Sequence, residues 1–237
     1  MASERPTGST KPTLGLTGLT INAMALIAQG AFLWLTFAMQ SQYGAPVAGA
    51  GMWFGILVAL ALCFATAIAY ATALGVPRLN CLAGKRPAGV GEPALRRTLV
   101  ENLRYAAAEL RRSGLMLLLE PINTFDIPGF YVSRSDQALS ILDEVGADNA
   151  SLLYDVYHAQ RMEGELAATA QKNLDRIGYV QVADNPGRNE PGTGEIDYAF
   201  LFAHLDRIGY DGWIGCEYKP ATTTEVGLRW RERLRRP

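Results

Sequence analysis

The chain has 237 residues, and its 22 basic and 23 acidic side chains leave a formal net charge of −1. This balance excludes the basic excess that nucleic-acid-binding proteins usually carry, so we expect no nucleic-acid partner. The cysteines Cys63, Cys81 and Cys216 are an odd number without CxxC spacing, which argues against a disulfide framework or a thiolate zinc site. We expect them to be buried thiols in a reducing compartment.

The charges are distributed very unevenly along the chain. Three lie within residues 1–11, none lies between Pro12 and Pro77, and all the others lie from Arg78 onward. The composition therefore predicts two parts of different character, which we place at residues 1–72 and 73–237.

Two long apolar runs fill most of the first part. Leu14–Met39 and Met52–Ala73 contain 26 and 22 residues without a charge, and each is longer than the roughly 20 residues that cross a bilayer core. We predict helices at about Leu16–Met39 and Met52–Ala73, with membrane association through residues 14–73. The alternative is a pair of buried core helices, which the polar residues inside the first run favour.

The first apolar run also carries a family resemblance. Its sequence GLTGLTINAMALIAQGAFLWLTF resembles the first transmembrane segment of amino-acid permeases of the APC superfamily. The resemblance extends over residues 1 to 70 and implies only the first two spans of such a transporter. Two helices cannot form a transporter's binding site, so no transport function is implied.

From residue 73 onward, short apolar runs alternate with segments of helical period, and this order predicts an α/β fold with a parallel sheet and right-handed crossovers. The predicted strands are Arg78–Ala83, Leu115–Pro121, Ser151–Val156, Tyr179–Ala183 and Trp213–Tyr218. The predicted helices are Pro93–Arg112, Ser135–Val145, Leu166–Arg176, Tyr198–Ile208 and Thr224–Arg235.

Four consecutive predicted strands each carry a polar residue at or near the carboxyl end, with Gln181 inside the strand Tyr179–Ala183 rather than at its end. These residues are Glu120, Asp155, Gln181 and Glu217. The carboxyl ends of parallel strands converge on one face, where a (β/α)₈ barrel has its chemistry. Three carboxylates and one amide are a hard, all-oxygen ligand set suited to Mg²⁺ or Mn²⁺. The alternative is that each carboxylate caps a neighbouring turn or pairs with an arginine.

The second part resembles the hydroxypyruvate isomerase family of the xylose isomerase-like TIM barrels. The stretches that carry this resemblance are LLEPINTFDIPGF, YDVYHAQRMEGEL, VQVADNPGRNEPGTGEIDY and YDGWIGCEYKP. The resemblance extends from about Ala73 to the C-terminus. It implies a partial (β/α)₈ barrel with the equivalents of strands four to eight, in which permease-like residues stand where the first three strands would be.

The resemblance also implies a site and a reaction. A divalent metal, Mg²⁺ or Mn²⁺, would be held by Glu120, Asp155, Gln181 and Glu217. The two glutamates would be the proton donor and acceptor, and His158 would contact a substrate oxygen. The implied reaction is the interconversion of hydroxypyruvate and tartronate semialdehyde, a proton transfer through an enediolate, in the cytoplasm.

Three other functions remain open at this stage. The chain could be a non-catalytic, membrane-attached remnant, because the first three barrel strands are not represented. It could instead be a related 2-oxo-tetronate isomerase or ketose 3-epimerase. A barrel endonuclease is the weakest alternative, because those sites bind zinc through several histidines and this chain has two.

A substrate with a carboxylate calls for a cation at the site. The candidates are Lys85 and Arg86, after the first strand of the second part, and Arg188 in the loop between the fourth and fifth. We expect the Gly-rich stretch Pro186–Gly194 to be a mobile lid over the pocket.

Three further polar residues complete the sequence-based expectations. Asn80 and Asn189 stand where relatives often have histidine, which bears on substrate specificity. His204 lies within a predicted helix, where we expect it on the surface.

Overall fold

A computed structural model describes residues 64–234. The chain divides into two compact units, Met1–Ala67 and Ile68–Pro237. The predicted helix Leu16–Met39, most of Met52–Ala73 and the permease-like stretch lie outside the described residues. Residues 64–74 are helical. No helix in the described part of the chain has the length and apolar character that a membrane span needs.

Five parallel strands form one sheet whose spatial order follows the chain. They are β1 (Arg78–Cys81), β2 (Met116–Leu119), β3 (Ala150–Asp155), β4 (Ile177–Val182) and β5 (Ile214–Cys216). Each strand pairs in parallel with the next, and at least one helix connects each consecutive pair, as crossovers between parallel strands commonly do. The predicted α/β class and partial barrel are therefore confirmed. Strands β1, β2 and β5 are shorter than predicted, β3 has the predicted length, and β4 begins two residues earlier than predicted.

Helices follow or connect the strands. They are α1 (Glu92–Arg112), α2 (Ser135–Val145), α3 (Val156–Met162), α4 (Leu166–Lys172), α5 (Tyr198–Ile208), α6 (Thr224–Gly227) and α7 (Trp230–Leu234). Helices α2 and α5 begin and end where the sequence predicts. Both end at a glycine in the left-handed region, Gly146 with φ 66° and Gly209 with φ 83°, a conformation that glycine adopts without steric penalty.

Three features of the helices differ from the prediction, one of which is that the predicted helix Thr224–Arg235 is interrupted between α6 and α7. Helix α3 was not predicted; it begins directly after β3 because the Asp155 carboxylate accepts hydrogen bonds from the N–H groups of Tyr157 and His158. The predicted helix Leu166–Arg176 ends early, since Asn173 leaves the helical conformation and its side chain donates to the carbonyl of Thr169 at 2.9 Å. A 3₁₀ turn, Leu174–Arg176, follows.

Two predictions about burial are wrong. Cys216 is exposed and Cys81 is only half-buried, because β5 and β1 are the two edges of the described sheet; Cys63 lies outside the described residues. His204 is buried rather than on the surface, and its Nε2 lies 3.1 Å from the carbonyl oxygen of Ala167. The packing of α4 against α5 covers this ring, and helical periodicity alone does not reveal such a contact.

The core lies between the sheet and the helices. Helix α1 buries Val100, Leu103, Ala107 and Leu110, whose three- and four-residue spacing places them on one stripe of the helix. Leu117 on β2 is fully buried between β1 and β3. This packing holds the carboxyl ends of the strands in a fixed register, on which the site depends.

The substitution Leu117→Ala should therefore lower the free energy of unfolding by about 2–5 kcal/mol, since it leaves a cavity in the centre of the sheet. Leu82, which is 57% exposed, provides the matched control. We expect Leu82→Ala to change stability by less than about 0.5 kcal/mol. Urea unfolding followed by circular dichroism measures both, and equal effects would contradict the assignment of Leu117 to the core.

Candidate active site

Three ionisable side chains meet at the carboxyl end of the sheet. Glu120 follows β2, Asp155 ends β3 and His158 lies in the first turn of α3. Their potential ligand atoms lie within 4.8 Å of one another, and all three residues are buried. His158 Nε2 is 3.7 Å from Glu120 Oε1 and 3.8 Å from Asp155 Oδ2. We call these three residues the acidic cluster.

Gln181 lies beside this cluster on the next strand. It is directly aligned with Asp155 in the pairing of β3 with β4. Both residues carry a buried side-chain oxygen, Asp155 Oδ2 and Gln181 Oε1, that has no hydrogen-bond partner among the described residues. Buried polar atoms are nearly always partnered, so two unpartnered oxygens on adjacent strands fit a hard divalent cation as their missing partner. The residues present therefore fit the metal that the sequence predicts.

Glu217 lies close to this edge but outside the acidic cluster. It follows Gly215, which is aligned with Gln181, by two residues, and its backbone N–H donates to the carbonyl of Val182 at 3.2 Å. Its half-exposed carboxylate pairs with the guanidinium of Arg188 at 3.3 Å. The arrangement thus brings Glu120, Asp155 and Gln181 together, with Glu217 at the exposed margin.

The electrostatics of this edge reflect the burial of like charges. Burial, and next the charge of Asp155, raise the pKa of Glu120 to about 7, although Asn80 Nδ2 donates a hydrogen bond to Glu120 Oε2. Burial and then the charge of Glu217 raise the pKa of Asp155 to about 7. A bound cation would reverse both effects, because it favours the charged carboxylates.

His158 is held as a neutral ring. Burial, and next the charge of Arg188, lower its pKa to about 4. Its Nδ1 lies 3.3 Å from the backbone nitrogen of Asn123 and 2.7 Å from the side-chain Nδ2 of the same residue. The ring is only 2% exposed, so neighbouring atoms of the protein enclose it almost completely.

Arg188 is the candidate cation that lies at the site. Its guanidinium carbon is 5.3 Å from the centre of the Tyr157 ring, and its backbone has a φ of 52°, which is unusual for a residue with a side chain. Arg86 is engaged elsewhere, in an ion pair with Glu92 at 2.8 Å. Lys85 is exposed and its side chain has no ion pair or hydrogen bond within residues 64–234, so its role stays a prediction.

The loop predicted as a mobile lid is tied down by one carboxylate. Asp184, which is 1% exposed, accepts hydrogen bonds at 2.8–3.1 Å from the backbone N–H groups of Asn185, Gly192, Thr193, Gly194 and Ile196. A Cβ on Gly194 would lie 2.0 Å from the carbonyl oxygen of Asn185, so only glycine fits there. These contacts hold the loop Pro186–Gly194 and with it Arg188, and moving the loop away would break the three hydrogen bonds from Gly192, Thr193 and Gly194.

The sequence reasoning missed a group of residues behind His158. Asp126 accepts hydrogen bonds from the hydroxyl of Tyr157 at 2.7 Å, from Asn123 Nδ2 at 3.0 Å and from Arg161 at 3.0 Å. The Tyr157 ring contacts both Arg161 and Arg188. The available signal was the run Asn123–Asp126, in which asparagine and aspartate three residues apart are typical of a tight turn stabilised by side chains.

Comparison with known proteins agrees with this geometry. The family model described as xylose isomerase-like TIM barrel matches residues 60–234, and the chain belongs to this family. A hydroxypyruvate isomerase from Escherichia coli is 56% identical over 171 residues, which are 72% of this chain and 66% of that protein. A 2-oxo-tetronate isomerase from Cupriavidus necator is 43% identical over 69% of this chain and 63% of its own length.

The chain thus spans just under two thirds of the length of these curated relatives. Among solved structures, a protein titled AP endonuclease, family 2, from Brucella melitensis is similar, with 38% identity and a TM-score of 0.69 over 72% of this chain and 66% of that one. A D-allulose 3-epimerase from Methylomonas sp. is 28% identical with a TM-score of 0.59, over 73% of this chain and 60% of that one.

The raised carboxyl pKa values predict how stability depends on pH in metal-free protein. The pKa of Glu120 rises from 4.5 to about 7 on folding, so its stabilising contribution is full below about pH 4.5 and is lost as the pH rises through 7. We expect Glu120→Gln to remove this loss and to stabilise the EDTA-treated protein at pH 8 by on the order of 1 kcal/mol. Urea unfolding at pH 5 and pH 8 measures the difference.

Added Mn²⁺ should reverse that order at pH 8, because the cation stabilises the wild-type carboxylates and has lost a ligand in Glu120→Gln. Glu101→Gln on the exposed side of α1 is the control and should follow the wild type in every condition. A wild-type protein whose free energy of unfolding changes neither with pH nor with added Mn²⁺ would contradict a metal site at the carboxyl ends of these strands.

Proposed function

We propose that this protein is a metal-assisted isomerase that interconverts hydroxypyruvate and tartronate semialdehyde. The observation that carries the proposal is a pair of buried oxygens, Asp155 Oδ2 and Gln181 Oε1, next to the buried carboxyl of Glu120. Neither oxygen has a hydrogen-bond partner within residues 64–234. An edge with this composition suits a divalent cation and a group that exchanges protons near neutral pH. The 56% identity to an isomerase of this name supports the same reaction.

In this proposal Glu120, Asp155, Gln181 and Glu217 hold Mg²⁺ or Mn²⁺. A cation held by these residues would supply Lewis-acid stabilisation of the negative charge that develops on the substrate. Glu217 pairs with Arg188 at the exposed margin, so in this proposal its carboxylate would exchange Arg188 for the metal.

The proton transfer is assigned to the two glutamates. One carboxylate removes a proton from the hydroxyl-bearing carbon of the α-hydroxy ketone, and the other delivers a proton to the former carbonyl carbon. The hydroxyl proton moves to the former carbonyl oxygen, so that the hydroxyl becomes the new carbonyl. A cation at the site would favour the charged carboxylate of Glu120, which is the form that accepts a proton. His158 donates a hydrogen bond to the oxygen that changes from carbonyl to hydroxyl.

Arg188 is assigned to the substrate carboxylate. Its guanidinium can form paired hydrogen bonds to a carboxylate, and the Asp184 network fixes the loop that carries it. Lys85, exposed after β1, is a second candidate for this role. A substrate with a carboxylate fits this cation better than the neutral ketoses named in the epimerase structures.

The test of the function is turnover by the full chain. We expect Mn²⁺-dependent conversion of hydroxypyruvate, observed by ¹H NMR, with Glu120→Gln and Glu217→Gln lowering kcat by about 10²–10⁴-fold. We also expect the unaltered chain to be slow, because orientation of the substrate by a closed barrel can supply about 7–11 kcal/mol of the barrier.

A chimera separates low activity from a wrong assignment. Residues 73–237 are joined to the first three strands of the Escherichia coli relative, which restores eight strands. The chimera should be much faster than the unaltered chain and should lose its activity with Glu217→Gln. A folded, Mn²⁺-binding chimera that leaves hydroxypyruvate unchanged would refute the reaction, and full activity of the unaltered chain would refute the need for the first three strands.

Residues 1–72 form a separate segment in this proposal, and residues 14–73 associate with the membrane while residues 73–237 lie in the cytoplasm. The support is the absence of charge between Pro12 and Pro77. We expect the full chain to sediment with membranes and to require detergent for extraction, whereas carbonate or high salt should not release it. Recovery of the full chain in solution without detergent would favour the buried core-helix alternative.

A further inference from the structure

Asn123 connects the acidic cluster to the residues behind it, and its amide orientation is fixed by its own turn. The side chain is completely buried. Its Oδ1 accepts hydrogen bonds from the backbone N–H groups of Phe125 at 3.1 Å and Asp126 at 2.8 Å. An amide oxygen only accepts and an amide nitrogen only donates. The reversed orientation would place NH₂ against two N–H donors, so Oδ1 must face them and Nδ2 must face the opposite side.

On that opposite side, Nδ2 has two acceptors. It lies 3.0 Å from Asp126 Oδ2 and 2.7 Å from His158 Nδ1. The backbone nitrogen of Asn123 donates to the same ring nitrogen at 3.3 Å. Since two N–H donors point at Nδ1, this atom can only accept, and a neutral ring must carry its hydrogen on Nε2.

The Nε2–H group is the side of the ring that faces the cluster. Nε2 lies 3.7 Å from Glu120 Oε1 and 3.8 Å from Asp155 Oδ2. A histidine coordinates a metal through a nitrogen lone pair, and here the only lone pair is occupied by Asn123. The ring therefore presents a hydrogen-bond donor to the site, although its Nε2 lies close enough to the carboxylates of Glu120 and Asp155 to share a metal ion with them.

We propose that Asn123 is a positioning residue that holds His158 in its Nε2–H tautomer, so that His158 donates to a substrate oxygen and does not become a metal ligand. The part of this inference that concerns the substrate rests on the proposed function. The tautomer itself does not, and it is measurable in the protein without metal or substrate.

The direct test is ¹⁵N NMR of the full chain labelled at histidine, because a protonated ring nitrogen and an unprotonated one resonate far apart. With two histidines in the chain, the variant His204→Gln assigns the signals. We expect the wild type to show His158 with hydrogen on Nε2 and none on Nδ1. A wild-type ring with its hydrogen on Nδ1 would overturn the proposal.

Two variants test whether the Asn123 side chain is responsible. Asn123→Asp replaces the Nδ2 donor by an acceptor and should move the hydrogen to Nδ1. Asn123→Ala leaves only the weaker backbone donor and should give a mixture of tautomers. Asn149→Ala, which removes side-chain hydrogen bonds to the carbonyls of Ala107 and Leu115, is the matched control and should leave His158 unchanged. An unchanged tautomer in both Asn123 variants would overturn the positioning role.

A metal-binding measurement distinguishes this inference from the proposed function. Titration with Co²⁺ should show a visible spectrum of all-oxygen coordination in the wild type and a new histidine-ligated spectrum in Asn123→Asp, because the free Nε2 lone pair then faces the cluster. In the chimera, loss of such a supporting residue should lower kcat about 10–100-fold with little change in KM. An altered tautomer with unchanged kcat would refute the role of His158 in the reaction, whereas an inactive wild-type chimera with the expected tautomer would refute only the proposed function.

Discussion

The rest of this structure depends on one constraint, which is that two carboxylates are buried side by side at the carboxyl ends of adjacent parallel strands. Glu120 and Asp155 are 4% and 3% exposed, and Asp155 Oδ2 has no partner among the described side chains. Burying a charge without compensation is strongly unfavourable. Without a cation, the penalty is avoided when the carboxyl groups bind protons, and burial therefore raises the pKa of both. A bound cation would compensate the same charges while the carboxylates stay ionised.

Asp155 joins this constraint to the local structure, because its two oxygens have different tasks. Oδ1 accepts from the N–H groups of Tyr157 and His158 and so begins α3, while Oδ2 stays free at the cluster. The cap fixes the position of His158 on the first helical turn. His158 in turn contacts Asn123, whose amide is oriented by its own turn. A chain of short-range contacts thus links the unpartnered oxygen to the orientation of an imidazole ring.

The sequence predicts those parts of the fold that depend on periodicity and on glycine. Helices α2 and α5 agree with their predicted bounds, since each has a full apolar stripe and a glycine after its last turn. Helix α3 was missed because its seven residues are too few for a period to be read, and because its first turn is stabilised by a side chain rather than by packing. The periodicity of the sequence also predicts one helix over Thr224–Arg235, where the structure has two short helices, Thr224–Gly227 and Trp230–Leu234. The period continues through the break between them and so does not reveal it.

The residues of the candidate site likewise fall into those that the sequence predicts and those that it misses. Residues that close strands, such as Glu120 and Asp155, are recognisable because a carboxylate interrupts an apolar run. Asp184 and Asn123 were missed because their function lies in hydrogen bonds to backbone groups, whose positions follow only from the folded loop. Tertiary packing also determines the burial of His204 and Cys216. A neighbouring helix covers His204, whereas Cys216 lies on an edge strand of the described sheet and is exposed.

The described strands also determine which properties of the site are independent of the rest of a barrel. Glu120 directly follows β2, and Asp155 and Gln181 lie on β3 and β4, and each of these strands is held in register by its immediate neighbours. Their convergence therefore needs nothing beyond the described sheet, whereas enclosure of a substrate needs a surrounding wall, and the chain spans 66% of the length of its Escherichia coli relative. Metal affinity depends mainly on the donor atoms and their spacing, while turnover depends in addition on how tightly the substrate is oriented. The two measurements therefore report on different parts of the molecule, and the described sheet, which has the donor atoms at the carboxyl ends of its strands, allows them to be measured separately.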